Sequence, residues 1–276
     1  YGFCSQTQRH SQLQEEVRRI TQKLGDMIRV CILSGKELRH ASSALLIKSM
    51  ARGLAAGLRG RAAFILNGTG QVQKTFAENC GDGTQLWTLL PFGQASGYTM
   101  GTDIHAGMNF DQCDDVFQQL GDVCISVEGG PNVSQMAQVA VARGASVVPL
   151  MRTGGASSGM FDFPRSALER PPSVSAEAWD LLGRSDAPIF ESAVAIVDIV
   201  SAFALAWEDA RRPPGEDFER FAWERPAPGG GERPEQASAP DPCRGGPRGV
   251  WADEGGGFLG GAAVDLRARA WRPVGP

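Results

Sequence analysis

The chain has 276 residues, enough for one or two domains with a sizeable core, and its net charge of −4 gives no basic excess for a nucleic-acid partner. Its six cysteines (Cys4, Cys31, Cys80, Cys113, Cys124 and Cys243) form no C-x-x-C pair. That argues against a disulfide framework or a zinc site, and for free thiols in a reducing, cytoplasmic setting. No signal peptide is visible at the start; since the first residue is Tyr1, a targeting segment or flanking domain can precede it.

In chain order, residues 8–24 read as a helix, with Leu13, Val17, Ile20 and Leu24 at 4-3-4 spacing. The seam is under two heptads long, so packing on its own domain is favoured over a coiled coil. Residues 27–33 form the first strand, which ends in Ser34-Gly35-Lys36. A helix begins near Ser42 or Ser43, either a suitable N-cap, turns Leu46, Ile47, Met50, Leu54 and Leu58 inward, and stops at Gly60. The second strand, 62–66, closes in Asn67-Gly68-Thr69-Gly70, and 72–79 follow as a short helix. Residues 85–90 are the third strand. After Pro91 a long glycine-bearing loop runs to Asn109 and carries Asp103 and His105, the latter read as a surface histidine. Residues 110–120 return to helix.

The stretch 122–141, DVCISVEGGPNVSQMAQVAV, is the centre of the chain. Its apolar run 123–127 suits a buried strand and is too short for a helix. Gly129 and Gly130 break the run, and Pro131 stands where proline is favoured, at the first helical position. Val133, Met136, Ala137 and Ala140 then give one apolar helical face. A strand running through a glycine turn into a helix N-terminus offers unpaired N–H groups and a positive dipole end to an anion such as phosphate. A plain β-turn-α connection reads the same way. Glu128, at the junction, can accept ribose hydroxyls, act as a general base, or hold nearby backbone N–H groups and shape the turn.

A fifth strand, 146–150, leads into Arg152-Thr153-Gly154-Gly155-Ala156-Ser157-Ser158-Gly159, and helices fit 175–182 and 190–208. The apolar stretch 192–207 is too short to span a bilayer comfortably and carries Asp198, so it reads as a core helix and not as a membrane span. Strands alternating with helices predict an α/β, Rossmann-like fold, a mostly parallel sheet with helices on both faces. Small-residue turns follow four of the strands on one edge, the edge at which open α/β sheets bind ligands. From Arg211 the composition changes: residues 211–276 hold thirteen glycines and ten prolines and read as a disordered tail. Removing everything after Arg212 should leave the thermal transition as cooperative as in the whole chain; a lost transition would make the tail part of the domain.

Gly68-Thr69-Gly70 begins like a dinucleotide fingerprint, but Gln73 occupies the third glycine position. Residues 154–159 have P-loop spacing, yet Met160 and Phe161 stand where Lys and Ser/Thr belong. No metal-ligand cluster and no cofactor motif is present in the sequence.

The strand order, the turn from Asn67 to Gly70 and Glu128-Gly129-Gly130-Pro131-Asn132 resemble the SLOG superfamily. That group holds the Lonely Guy-type proteins, once labelled lysine decarboxylases, and the N-terminal domain of melastatin-type TRP channels. The E-G-G-P-N run is most similar to the channel branch, and the resemblance covers roughly residues 27–207. It implies a Rossmann-like domain, 26–210, behind an N-terminal helix, 1–25. Within it a nucleotide or nucleotide-sugar such as ADP-ribose would sit with its phosphate on the Gly-Gly turn. The implied site is Ser34 and Gly35; Asn67, Gly68, Thr69 and Gly70; Gly129, Gly130, Pro131 and Asn132; and Thr153, Gly154 and Gly155. A homo-oligomer, or a place in the cytosolic part of a larger membrane protein, is consistent with it.

The enzymatic branch carries P-G-G-x-G-T-x-x-E, whose last glutamate is catalytic, and an upstream H-E-R-K whose arginine assists. Here the glutamate position is Gln135 and the ungapped arginine position is Cys113. The expectation is a nucleotide-binding or sensing domain without hydrolysis. The alternatives are a divergent phosphoribohydrolase using Glu128, Asp111 or Asp103, and a non-binding scaffold.

Overall fold

In the computed structural model, residues 6–212 are described, and their six strands lie in one sheet. The strands are β1 (Ile28–Ser34), β2 (Ala62–Asn67), β3 (Leu86–Leu90), β4 (Thr102–His105), β5 (Val123–Val127) and β6 (Ser146–Pro149). Their order is β4-β3-β2-β1-β5-β6, and every neighbouring pair is parallel. Sheets of this kind are buried on both faces, which is why the strands read as continuous apolar runs.

Two cores result, one on each face. Val30 and Ile32 of β1 and Val123, Ile125 and Val127 of β5 pack under α2 (Ala41–Gly57), α3 (Gln71–Ala77), α6 (Ala176–Asp180) and α7 (Ile189–Arg211). Cys31, Leu33 and Cys124 face the other way, under α1 (Gln6–Leu24), α4 (Phe110–Phe117) and α5 (Pro131–Ala142). In α1, Ile20 and Leu24 are fully buried, and Leu13 and Val17 pack against the same core. The seam is therefore used within the domain. Cys31, Cys80, Cys113 and Cys124 are all free and buried.

Several sequence expectations need correction. The long loop after Pro91 contains β4, an edge strand paired with β3, so Asp103 and His105 lie on a strand. Only Ile104 of its four residues is buried, which leaves too little alternation to read. The N-cap of α2 is His40, with no side-chain cap, while Ser43 is buried inside the helix. The small-residue stretch after β6 is built of short 3-10 turns, Met151–Thr153 and Gly155–Ser158. The expected disordered tail lies outside the described residues, apart from the end of α7 at Arg211 and Arg212.

α7 also runs longer than expected. Its 23 residues are long and apolar enough, by length and composition, to cross a membrane. The same helix buries Ala193, Ile196, Ile199, Val200 and Ala204 in the core it shares with α2. Where the two helices cross, a Cβ on Gly53 would stand 2.7 Å from Val197 Cγ2, and one on Gly57 3.2 Å from its Cγ1. Valine is stiff at χ1 and has little room to give. Gly53→Leu should therefore lower stability by about 1–3 kcal/mol through overpacking. An unchanged midpoint in urea unfolding would show that the crossing has slack.

Candidate functional site

From β1 the chain steps outward through β2, β3 and β4; it then returns to place β5 on the opposite side of β1. The carboxyl ends of β1 and β5 therefore flank the switch in strand order, the place at which open α/β sheets bind ligands. Gly35 and Gly129 meet there, with a Cβ on Gly35 falling 3.7 Å from Gly129 Cα. Gly129 has φ +89, and a Cβ on it would be 2.5 Å from Val133 Cγ2, so glycine is required. Gly130 differs: it is the extended N-cap of α5, φ −123, and nothing lies within 4 Å of where its Cβ would be. Pro131 follows at the helix start. The first N–H groups of such a helix have no intrahelical partner.

Glu128 holds this turn in place. It is 2 % exposed with φ +49, rare for a side chain of its size. Its carboxylate accepts the backbone N–H groups of Arg39 at 2.8 Å and His40 at 3.2 Å, fastening the loop that enters α2. Its own N–H donates to Thr153 Oγ1 at 2.9 Å, and its carbonyl accepts from Ser157 N–H and Oγ–H. Ala156 N–H donates to Gly129 O, and a Cβ on Gly155 would reach that oxygen at 2.4 Å. Thr153 and Gly155 are thus struts beneath the glycine turn, whereas Gly154 faces open space. The loop tied by Glu128 carries Lys36 and Arg39, both solvent-exposed.

On the β2 side, Asn67 Nδ2 donates to Asp114, and Asn132 Nδ2 donates to the same carboxylate at 3.4 Å. Asp114 therefore joins the turn after β2 to the first turn of α5, which brings Asn67 and Asn132 together. Gly68 is buried; its carbonyl accepts from the Tyr98 hydroxyl, whose pKa burial pushes up to about 12. Thr69 is exposed, and Gly70 packs against Lys36 as the N-cap of α3. Ser34 Oγ accepts from Gln73 Nε2 at 2.8 Å. The sequence does not single out Asp114, one of three aspartates on α4, and Gln73 stands in it only as the residue that spoils a glycine fingerprint.

Four buried side-chain atoms without a hydrogen-bond partner gather on this edge: Ser43 Oγ in the first turn of α2, Asn67 Oδ1, Gln73 Oε1 at the start of α3, and Ser134 Oγ at the start of α5. Buried polar groups are costly to leave unpaired; a fifth such atom, Trp87 Nε1, lies on β3.

The other candidates lie apart. Asp103 accepts from Ser96 N–H and Oγ–H, and His105 Nε2 donates to Gln94 O at 2.9 Å while its ring stacks on Phe92. Asp111 is exposed on α4. Gln135 is exposed on α5, three residues beyond Asn132 and on the same flank. Cys113 points into the core, donates to Ala106 O, and is pushed up to about 12 by burial. A cavity of about 320 Å³ opens at the opposite edge of the sheet, beside Ile28, Asp122, Arg143 and Trp207. Its charges are already engaged: Asp122 with Arg29, and Arg143 with the Gln118 and Gly121 carbonyls.

No protein-family model and no curated protein matches the chain. Among solved structures it is similar to the X-ray structure of TM1055, a structural-genomics target, at 20 % identity over 49 % of this chain and 80 % of that one, with a TM-score of 0.41. A likeness of that size carries no functional weight, which rests instead on the switch point between β1 and β5.

Proposed function

We propose that the chain binds a nucleotide or nucleotide-sugar in the β1/β5 crevice, as a sensing domain of the SLOG kind. The observation that carries this reading is Gly130: an N-cap glycine opening a 12-residue helix at the switch point, with empty space before it. A phosphate there would meet unpaired N–H groups and the positive end of the helix dipole. The unpaired Ser134, Gln73 and Asn67 atoms add polar partners for a sugar, and the resemblance of Glu128–Asn132 to the channel branch points to ADP-ribose-like ligands. Binding without hydrolysis is favoured because the Glu128 carboxylate already holds two backbone N–H groups, and Asp103 holds Ser96. Neither observation favours the hydrolase alternative.

Thermal unfolding against AMP, ADP-ribose, NAD and cyclic nucleotides tests the reading. A ligand that binds only the folded state adds about 2.7 kcal/mol at a hundred times its Kd, so a saturating ligand should raise the midpoint by several degrees. No shift with any of them at millimolar concentration would leave the scaffold reading in its place.

A further inference from the structure

We infer that the ring of Phe110 is the platform on which the ligand's planar base stacks; this rests on the nucleotide reading of the crevice. Phe110 opens α4 and is 48 % exposed, an unusual surface position for a large apolar ring on a polar helix of sequence FDQCDDVF. It is held there by Asn109, whose side chain caps the helix by accepting Gln112 N–H at 3.0 Å. Its Cε1 lies 3.7 Å from where a Cβ on Gly68 would be, so the bare glycine turn after β2 runs alongside the ring without covering it.

The ring also stands in line with the phosphate site. Asp114 is four residues further along α4, on the same flank, and it bonds both Asn67 and Asn132. Phe110 and Asp114 thus stand about one helical turn apart on α4, and the Asp114 carboxylate touches Asn132 in the first turn of α5, which links the ring's flank of α4 to the proposed phosphate site. Asn67 Oδ1, next to Gly68, is a buried acceptor without a partner, suited to an exocyclic amine or a ribose hydroxyl. The other exposed aromatics are placed differently. Phe92 is stacked on His105 at the β4 edge, Phe161 follows the turns after β6 beside Asp162, whose carbonyl accepts from Gln138 of α5, and Phe190 lies at the start of α7 on the opposite face of the sheet. Phe110 is the residue that would tell a nucleotide from a bare sugar phosphate.

Calorimetry of the whole chain with AMP and with ribose 5-phosphate tests this, using the parent, Phe110→Ala, Phe110→Leu and Phe110→Trp. Loss of a base-stacking ring is typically worth about tenfold or more in affinity. Alanine and leucine should therefore weaken AMP by that factor and leave ribose 5-phosphate unchanged, while tryptophan keeps AMP at parental affinity. Thermal melts of each variant confirm folding, which a half-exposed first-turn residue should not disturb. An unchanged AMP affinity in Phe110→Ala overturns the platform but leaves the nucleotide reading standing. So does a leucine variant as good as the parent, or an equal loss of both ligands. A parent that binds neither ligand overturns the platform for a mononucleotide, and the nucleotide reading falls with it when ADP-ribose, NAD and cyclic nucleotides also leave the melting curve unmoved.

Discussion

Gly130→Asp is expected to fold like the parent and to lose nucleotide binding by about 100-fold or more, because like charges brought together at a binding site cost several kcal/mol. The fold should survive for two local reasons. Gly130 has an extended backbone that any residue adopts, and its side-chain direction is open space. Aspartate is moreover a better N-cap than glycine, by about a few tenths of a kcal/mol. The same side chain would stand where phosphate enters, placing a carboxylate against a dianion. Gly129 and Gly155 are poor sites for such a test. Their positive φ values and the close approach of Val133 and of Gly129 O mean that any side chain would distort the turn itself. Calorimetry with whichever nucleotide shifts the melting curve measures the effect. Parental affinity in Gly130→Asp would move the phosphate site away from this turn.

How much of this was legible in the sequence depends on how local each feature is. The strand 123–127, the Gly129-Gly130-Pro131 turn and the apolar face of α5 are consecutive in sequence, and their periodicity and punctuation declare them. β4 is different, since an edge strand of four residues with Ile104 alone buried leaves almost no pattern. The role of Glu128 was open for a related reason. Its carboxylate partners, Arg39 and His40, lie 89 and 88 residues away, and only the pairing of β1 with β5 brings them to it. Asp114 is the clearest case. In D-Q-C-D-D three aspartates look alike, and what selects one is helix phase: Cys113 turns into the core, and Asp114 beside it turns towards Asn67 and Asn132.

That phase also sharpens the chemical prediction. Incubated with AMP, the protein is expected to release no free base. In the enzymes it resembles, a glutamate at the position of Gln135 assists the attack of water, and an amide cannot take that proton. General-base help is worth roughly 10²–10⁴-fold, so its absence alone would make turnover slow. Cys113 supplies no positive charge, being buried, neutral and bonded to Ala106 O. Replacing Cys113 with arginine would thus bury an unpaired guanidinium and unfold α4 instead of restoring an active site. Gln135→Glu is the cleaner gain-of-function variant, because the residue is exposed and shares a flank with Asn132. A rise in base release from that variant would show that the crevice keeps the enzymatic geometry and lacks only the carboxylate. Glu128→Gln needs a stability control, since an amide can accept only one of the two N–H groups of Arg39 and His40 and turns a donor towards the other. Chromatography that found free base released by the unmodified protein, and lost in a folded Glu128→Gln variant, would make Glu128 the base and the chain a divergent hydrolase.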